Sequence, residues 1–128
     1  MRAVFADTFY WAALTSPEDS AHRRAMDLSR SLAPDRIVTT DEVLSEYLAR
    51  AEAGKNVAEL TKSFTVLVFP QSRDSFLAGL GLYRARPDKG YSLVDCISMQ
   101  TMRREGLTEV LTNDRHFEQE GFRALFRE

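Results

Sequence analysis

Three aspartates stand at the ends of apolar segments, where polar side chains are often used for chemistry. Asp7 directly follows RAVFA, and Asp114 comes two residues after TEVLT. Asp95 lies near the start of SLVDCISMQTM, whose apolar side chains would surround nearly the whole circumference of a helix. Such a helix belongs in a protein interior, yet an aspartate is rarely buried without a partner. The sequence therefore raises the question of what neutralises these carboxylates.

The segments that carry these residues alternate between predicted strands and predicted helices. Short runs rich in apolar and β-branched residues predict strands, and apolar residues at helical spacing predict helices. The predicted strands cover residues 2–6, 36–39, 65–69, 108–112 and 122–126. The predicted helices cover residues 8–14, 17–32, 39–54, 56–63, 71–86 and 92–106. This alternation indicates one α/β domain, spanning residues 1–128, with a largely parallel sheet.

The helix predicted over residues 39–54 carries a fourth candidate acid, Glu46. Thr39 and Glu42 have the spacing of a capping box at the start of this helix, and Gly54 would close it. Glu46 lies one turn beyond the acids Asp41 and Glu42, which favour the helix dipole, on a helix that begins just after the second predicted strand.

Parallel strands would bring the acids to one edge of the sheet. In open α/β sheets, ligands bind in the crevice at the carboxyl ends of the strands. Asp7 and Asp114 follow the first and fourth strands, and Asp95 lies near the N-terminus of the helix that precedes the fourth. Like charges so placed raise each other's pKa unless a cation neutralises them. Oxygen ligands favour Mg²⁺ or Mn²⁺, so we expect such a cation here, with Glu46 as a candidate fourth ligand.

Each acid also has a purely structural interpretation. Ser92 and Asp95 are spaced almost as in a capping box, and Asp7 could cap the helix that follows it. Asp114 lies in TNDRHF, where Asn and Asp favour turns. Glu46 lies off the centre of its helix's apolar stripe, as a solvated surface acid would. A cap, a turn or a surface position therefore stays open beside a metal site.

The composition is that of an ordinary globular protein. The chain has 128 residues, of which 44% are hydrophobic and 28% charged, which leaves room for a core. No apolar run approaches the roughly 18 residues of a membrane span, and Asp7 would interrupt the apolar part of a signal peptide. Cys96 is the single cysteine, which agrees with a reducing cytoplasm. It shows no metal-ligand spacing with His22 or His116, so a zinc site is not expected.

Four motifs, in their order and spacing, resemble those of a known family. FADT, TTDEVLSEYL, SLVDCISMQTMRREG and LTNDRHF are similar to the motifs of the PIN-domain nucleases. More narrowly, they resemble the VapC-type toxins of prokaryotic toxin–antitoxin pairs. The resemblance covers nearly the whole chain and is most specific in its last half. It implies a PIN-like three-layer α/β/α domain with a central, mostly parallel sheet.

The resemblance also implies which residues carry the activity. Members of the family hold one or two Mg²⁺ or Mn²⁺ ions on four acids and hydrolyse RNA phosphodiester bonds. The matching positions, as catalytic and metal-binding residues, are Asp7, Glu46, Asp95 and Asp114. Thr8 and Thr112 are expected to orient these ligands, and Asn113 to share or modify the role of Asp114.

The expected partners are RNA, a small VapB-like antitoxin and a second copy of the chain. The net charge of −2 means that RNA binding needs bound cations or a local basic patch. The residues that could hold the RNA backbone, or form an ordinary solvated surface, are Arg84, Arg86, Lys89, Arg115 and His116. The aromatic helix FYWAAL (9–14) and the amphipathic helix after it are either a docking surface for the antitoxin or part of the core.

Three other functions compete with this interpretation. The first is a catalytically silent PIN-like module that binds RNA or protein. The second is a phosphoacceptor signalling domain, but TVLVFP ends without an aspartate and FRALFRE has no lysine. The third is a haloacid-dehalogenase-type phosphatase, which needs DxDxT, whereas FADTF lacks the second aspartate. A metal-dependent ribonuclease agrees best with the sequence.

Overall fold

Five parallel strands form the centre of the protein. The computed structural model describes residues 2–32, 36–50 and 66–128. The strands are β1 (Ala3–Ala6), β2 (Arg36–Thr40), β3 (Val66–Phe69), β4 (Glu109–Leu111) and β5 (Arg123–Ala124). They lie in the order β3-β2-β1-β4-β5, and all four pairings are parallel. The predicted α/β class with a largely parallel sheet is confirmed.

Six helices of the described residues lie on both sides of this sheet. They are α1 (Thr8–Thr15), α2 (His22–Leu32), α3 (Asp41–Leu48), α4 (Arg73–Ala85), α5 (Leu93–Arg104) and α6 (Arg115–Gln119). A short 3₁₀ helix, Leu125–Arg127, follows β5. The helix predicted over residues 56–63 and the predicted closing residue Gly54 lie outside the described residues. No helix in the described ranges is long and apolar enough to cross a membrane.

Two elements near the C-terminus differ from the prediction. Residues 122–126 were expected to form a strand, but only Arg123 and Ala124 pair with β4 before the chain turns into the 3₁₀ helix. Helix α6 was not predicted, because TNDRHF has the composition of a turn. It forms because the Asp114 side chain accepts a hydrogen bond from the backbone N–H of His116 and caps the first turn.

The start of α3 is shifted by one residue from the predicted capping box. Thr40, and not Thr39, is the N-cap, and its hydroxyl accepts a hydrogen bond from the Val43 backbone N–H. The Thr39 hydroxyl instead donates to the Ala6 carbonyl oxygen of the neighbouring strand. Strand β2 therefore continues one residue further than the sequence suggested, and Thr39 joins β2 to β1.

The core surrounds the central strand β1, which is buried on both faces. Val4 and Phe5 have no exposed surface, and the aromatic residues Tyr10 and Trp11 of α1 are almost as deeply buried. The sequence left open whether these aromatic residues form a docking surface or part of the core. Tyr10 and Trp11 belong to the core and are not available for docking. Phe9 is partly exposed and packs its ring edge against Phe126.

The helix that carries Asp95 is positioned by a close contact with α4. Gly79 of α4 lies against Ile97 of α5, and a Cβ at this glycine would come within 2.9 Å of the Ile97 Cα atom and backbone nitrogen. Only a residue without a side chain allows the two helices to approach this closely. The first turn of α5 is thereby held near the carboxyl ends of the central strands.

Candidate metal centre

Asp7 lies at the carboxyl end of β1 and is the most buried of the four candidate acids, with 7% of its surface exposed. Its Oδ2 atom accepts a hydrogen bond of 3.0 Å from the hydroxyl of Thr112, which follows the neighbouring strand β4. The same hydroxyl accepts a hydrogen bond of 3.2 Å from the backbone N–H of Asp114. Thr112 therefore links two of the acids where β1 and β4 end side by side.

Glu46 is linked to the end of β1 by a hydrogen bond from Thr8, the first residue of α1. The Thr8 hydroxyl donates a hydrogen bond of 2.5 Å to Glu46 Oε1 and also lies 3.5 Å from the Val43 carbonyl oxygen. Thr8 directly follows Asp7 in the chain and is buried. Although Glu46 is an exposed residue, its carboxylate is therefore directed toward the end of β1.

Asp95 has the structural role that its spacing from Ser92 suggested. Both hydrogen bonds of a capping box are present, from the Ser92 backbone N–H to Asp95 Oδ2 and from the Asp95 backbone N–H to the Ser92 hydroxyl. The Asp95 side chain is 14% exposed and also faces the same cavity as Asp7. A carboxylate has four lone-pair directions, so capping leaves acceptor capacity for another ligand.

His116 lies beside Asp95 and Asp114, which the sequence spacing did not suggest. Its Nδ1 atom is 3.3 Å from Asp114 Oδ1 and 3.9 Å from Asp95 Oδ2. Ligand atoms of these three residues all lie within 4.8 Å of one another. From the sequence, His116 was expected only as an RNA contact. It lies close to Asp95 because the start of α6, which carries His116, is near the start of α5.

The four candidate acids share a cavity of about 300 Å³. Its lining consists of Asp7, Thr8, Phe9, Glu46, Arg50, Asp95, Thr112, Asn113 and Asp114. All four candidate acids, both threonines and Asn113 are thus brought together. Arg50 and Phe9 were not anticipated, although Arg50 follows Glu46 by about one helical turn and that spacing could have indicated it.

The basic residues that the sequence suggested as RNA contacts are not among the described residues that line this cavity. Arg84, Lys89 and Arg115 are exposed residues of the surface. Arg86 donates a hydrogen bond of 2.9 Å to Glu120 Oε2, an acid that also accepts hydrogen bonds from Tyr91 and Arg103. Arg86 therefore holds the loop before α5 in place.

Burial and mutual repulsion raise the pKa of two of the acids. Burial, and then the charge of Asp95, raises the pKa of Asp7 to about 7, against the hydrogen bonds of Thr8 and Thr112 that lower it. Burial raises the pKa of Asp95 as well, opposed by its bonds to Ser92 and assisted by the charges of Asp114 and Glu46. Converging carboxylates whose charged forms are destabilised in this way fit a divalent cation, which would favour those charged forms.

Comparison with known proteins identifies similar chains. The family model of the PIN domain matches residues 4–122. The crystal structure of Mycobacterium tuberculosis VapC20, described as a toxin that cleaves the sarcin-ricin loop, superposes with a TM-score of 0.85. The two sequences are 28% identical, and the match covers 93% of this chain and 95% of the other. The comparison with curated proteins found no match.

Proposed function

Because the chain belongs to the PIN-domain family, we propose that it is a metal-dependent endoribonuclease of the VapC toxin type. The family match confirms the resemblance seen in the sequence motifs. The observation that carries the proposal is the convergence of Asp7, Glu46, Asp95 and Asp114 on one cavity at the carboxyl end of the sheet. Helix capping accounts for Asp95 and Asp114 but not for the convergence of Asp7 and Glu46 on the same cavity.

The four acids would hold one or two Mg²⁺ or Mn²⁺ ions. When bound, such a cation supplies a water of lowered pKa and neutralises charge on the phosphate. The chain's own residues set the geometry of the ligands: Thr112 holds Asp7, and Thr8 holds Glu46. Each hydroxyl occupies one acceptor position of its carboxylate, which leaves acceptor capacity for a cation. Asn113 lines the cavity beside Asp114 and would adjust that ligand.

The substrate of this site would be RNA. A site of four carboxylates repels phosphate unless cations are bound, so substrate and cation binding are linked. Arg50 lines the cavity and is placed to contact a phosphate close to the acids. The exposed residues Arg84, Lys89 and Arg115 would contact the RNA backbone further out, where their charges are screened by salt.

The biological setting proposed for the activity is a toxin–antitoxin pair in the cytoplasm. VapC20 is described as cleaving the sarcin-ricin loop, so an RNA hairpin with that loop is a suitable first substrate. We further propose a small VapB-like antitoxin as the protein partner and a homodimer as the assembly. Gel filtration with light scattering would test the dimer, and co-expression with the neighbouring gene would test the antitoxin.

The activity is tested with a labelled RNA hairpin in the presence of Mn²⁺, Mg²⁺ or a chelator. Asp7→Asn should lower the cleavage rate by a factor of about 100 or more, since it removes the charge of a buried ligand. The matched control is Asp74→Asn, an exposed aspartate on α4, which should cleave at the wild-type rate. Cleavage that survives both the chelator and Asp7→Asn would contradict a metal-dependent reaction at these acids. Wild-type protein that binds the hairpin without cleaving it would favour the catalytically silent module.

A further inference from the structure

We propose that His116 Nδ1 is a ligand of the cation held by Asp95 and Asp114, so that this position prefers Mn²⁺, Co²⁺ and Ni²⁺ to Mg²⁺. The inference deepens the proposed function, because the same two carboxylates take part. It changes the donor set from oxygen alone to oxygen and nitrogen. It also gives His116, which the sequence suggested only as an RNA contact, a place among the metal ligands.

The distances suit one small cation. Metal–ligand bonds of about 2.1 Å place neighbouring ligand atoms about 3 Å apart and opposite ones about 4 Å apart. His116 Nδ1 is 3.3 Å from Asp114 Oδ1 and 3.9 Å from Asp95 Oδ2. All three atoms lie within 4.8 Å of one another. Shifts of a few tenths of an ångström would bring them to the distances expected around one cation.

The Nδ1 atom of His116 is buried but makes no hydrogen bond within the part of the chain that the structure describes. The nearby Asp114 Oδ1 accepts its hydrogen bond from the His116 backbone N–H instead, at 2.9 Å. A buried nitrogen that makes no hydrogen bond destabilises the fold. A cation between the ring and the two carboxylates would give this nitrogen a bond.

The ring of His116 also packs against a tyrosine that is itself held in place. Tyr91 is buried, and its ring centroid lies 5.1 Å from that of His116. The Tyr91 hydroxyl donates to Glu120 Oε2 at 2.9 Å, and Arg86 and Arg103 hold the same carboxylate. This packing against a fixed tyrosine limits the orientations open to the His116 ring.

A nitrogen ligand changes which cations the site takes. Carboxylate and water oxygens suit Mg²⁺, whereas imidazole suits the divalent transition metals. Affinity for nitrogen and oxygen sites rises from Mn²⁺ through Co²⁺ to Ni²⁺. Removing the imidazole should therefore weaken Ni²⁺ and Co²⁺ most, Mn²⁺ less and Mg²⁺ hardly at all. If His116 served only as a charge partner of the acids, its removal would change the affinities for the four cations to a similar extent.

The experiment uses the full chain without a polyhistidine tag, stripped of metal. Isothermal titration with Mg²⁺, Mn²⁺, Co²⁺ and Ni²⁺ compares the wild type with His116→Asn and His116→Gln. We expect the dissociation constants for Co²⁺ and Ni²⁺ to rise by about tenfold or more in the variants. The constant for Mg²⁺ should change by less than about threefold, because its oxygen ligands remain.

A second measurement does not depend on a variant that folds. Pulsed electron paramagnetic resonance of Mn²⁺ bound to the wild type should show coupling to one histidine nitrogen, which changes on ¹⁵N-histidine labelling. Wild-type binding of Mn²⁺ without this coupling, or equal losses for Mg²⁺ and Ni²⁺ in the variants, overturns the inference and leaves the proposed nuclease intact. If the wild type binds none of the four cations, the inference and the metal dependence of the proposed function both fail.

Discussion

The hydroxyl of Thr112 donates a hydrogen bond to Asp7, a residue 105 positions away in the chain, and both residues are buried. The bond joins the ends of the adjacent strands β1 and β4 and directs the Asp7 carboxylate. It also lowers the pKa of Asp7 against the larger effect of burial.

Replacing Thr112 by valine should weaken both the fold and the site. Thr112→Val keeps the shape but removes the donor to Asp7 and the acceptor for the Asp114 backbone N–H. We expect a loss of about 1–3 kcal/mol in the free energy of unfolding and a cleavage rate about 10–100 times lower. Thr112→Ser keeps the hydroxyl and should retain most of both. Urea melts and the hairpin assay measure the two effects; equal behaviour of Val and Ser would mean that the hydroxyl is not used.

The stability of the metal-free protein should fall as the pH rises toward neutrality. The pKa of Asp7 is raised to about 7 in the folded state, above its ordinary value near 4 in the unfolded state. Protonated Asp7 therefore makes its full contribution to the free energy of unfolding below about pH 4. This contribution, at most about 4 kcal/mol, is lost as the pH rises through about 7. Urea unfolding with a chelator at pH 5, 6, 7 and 8 measures this loss. Asp7→Asn cannot titrate and should show a smaller fall; parallel profiles for the two proteins would contradict the assignment.

Bound metal should stabilise the fold through Asp95. A cation at a hundred times its dissociation constant adds about 2.7 kcal/mol to the folded state. Asp95→Asn should keep an oxygen acceptor for the Ser92 backbone N–H but lose the charge, so the rise in melting temperature with Mn²⁺ should disappear. Thermal melts with and without Mn²⁺ give this difference directly.

The two roles of Asp95 can be separated with Ser92→Ala. This change removes the hydroxyl acceptor of the capping box and should cost about 1 kcal/mol in the free energy of unfolding. The carboxylate remains, so the increase in melting temperature with Mn²⁺ should be kept. If Asp95→Asn retained the full increase, Asp95 would be a helix cap alone.

The contact between α4 and α5 predicts opposite effects for two glycines of the same helix. Gly79→Ala places a methyl group against the backbone of Ile97 and should lower the free energy of unfolding by about 1–3 kcal/mol. Gly81→Ala is the control: beyond its own stretch of helix, no described atom lies within 4 Å of the added carbon, and it should raise stability by up to about 1 kcal/mol. Chemical denaturation compares them. A stable Gly79→Ala protein would mean that the helices separate easily, and that Asp95 is held less firmly than described.

Periodicity alone predicted most of the elements, because strands and helices place apolar residues at different spacings. It did not locate the cap of α3, since adjacent threonines offer the same hydroxyl and only the pairing of β2 with β1 occupies Thr39. It missed α6, since a helix of five residues is too short to show a period. The strand at the C-terminus was predicted too long, because FRALF has apolar spacing beyond the two residues that pair with β4.

The sequence by itself determined that acids follow the first and fourth strands and that a parallel sheet would place Asp7 and Asp114 at one edge. Only the tertiary structure decided that Thr8 turns the exposed Glu46 toward them and that His116 reaches Asp95, 21 positions away. The physical reason is that strand order follows from local patterns and general rules of topology. Contacts between side chains of separate helices depend instead on how closely those helices pack, which Gly79 sets for α5.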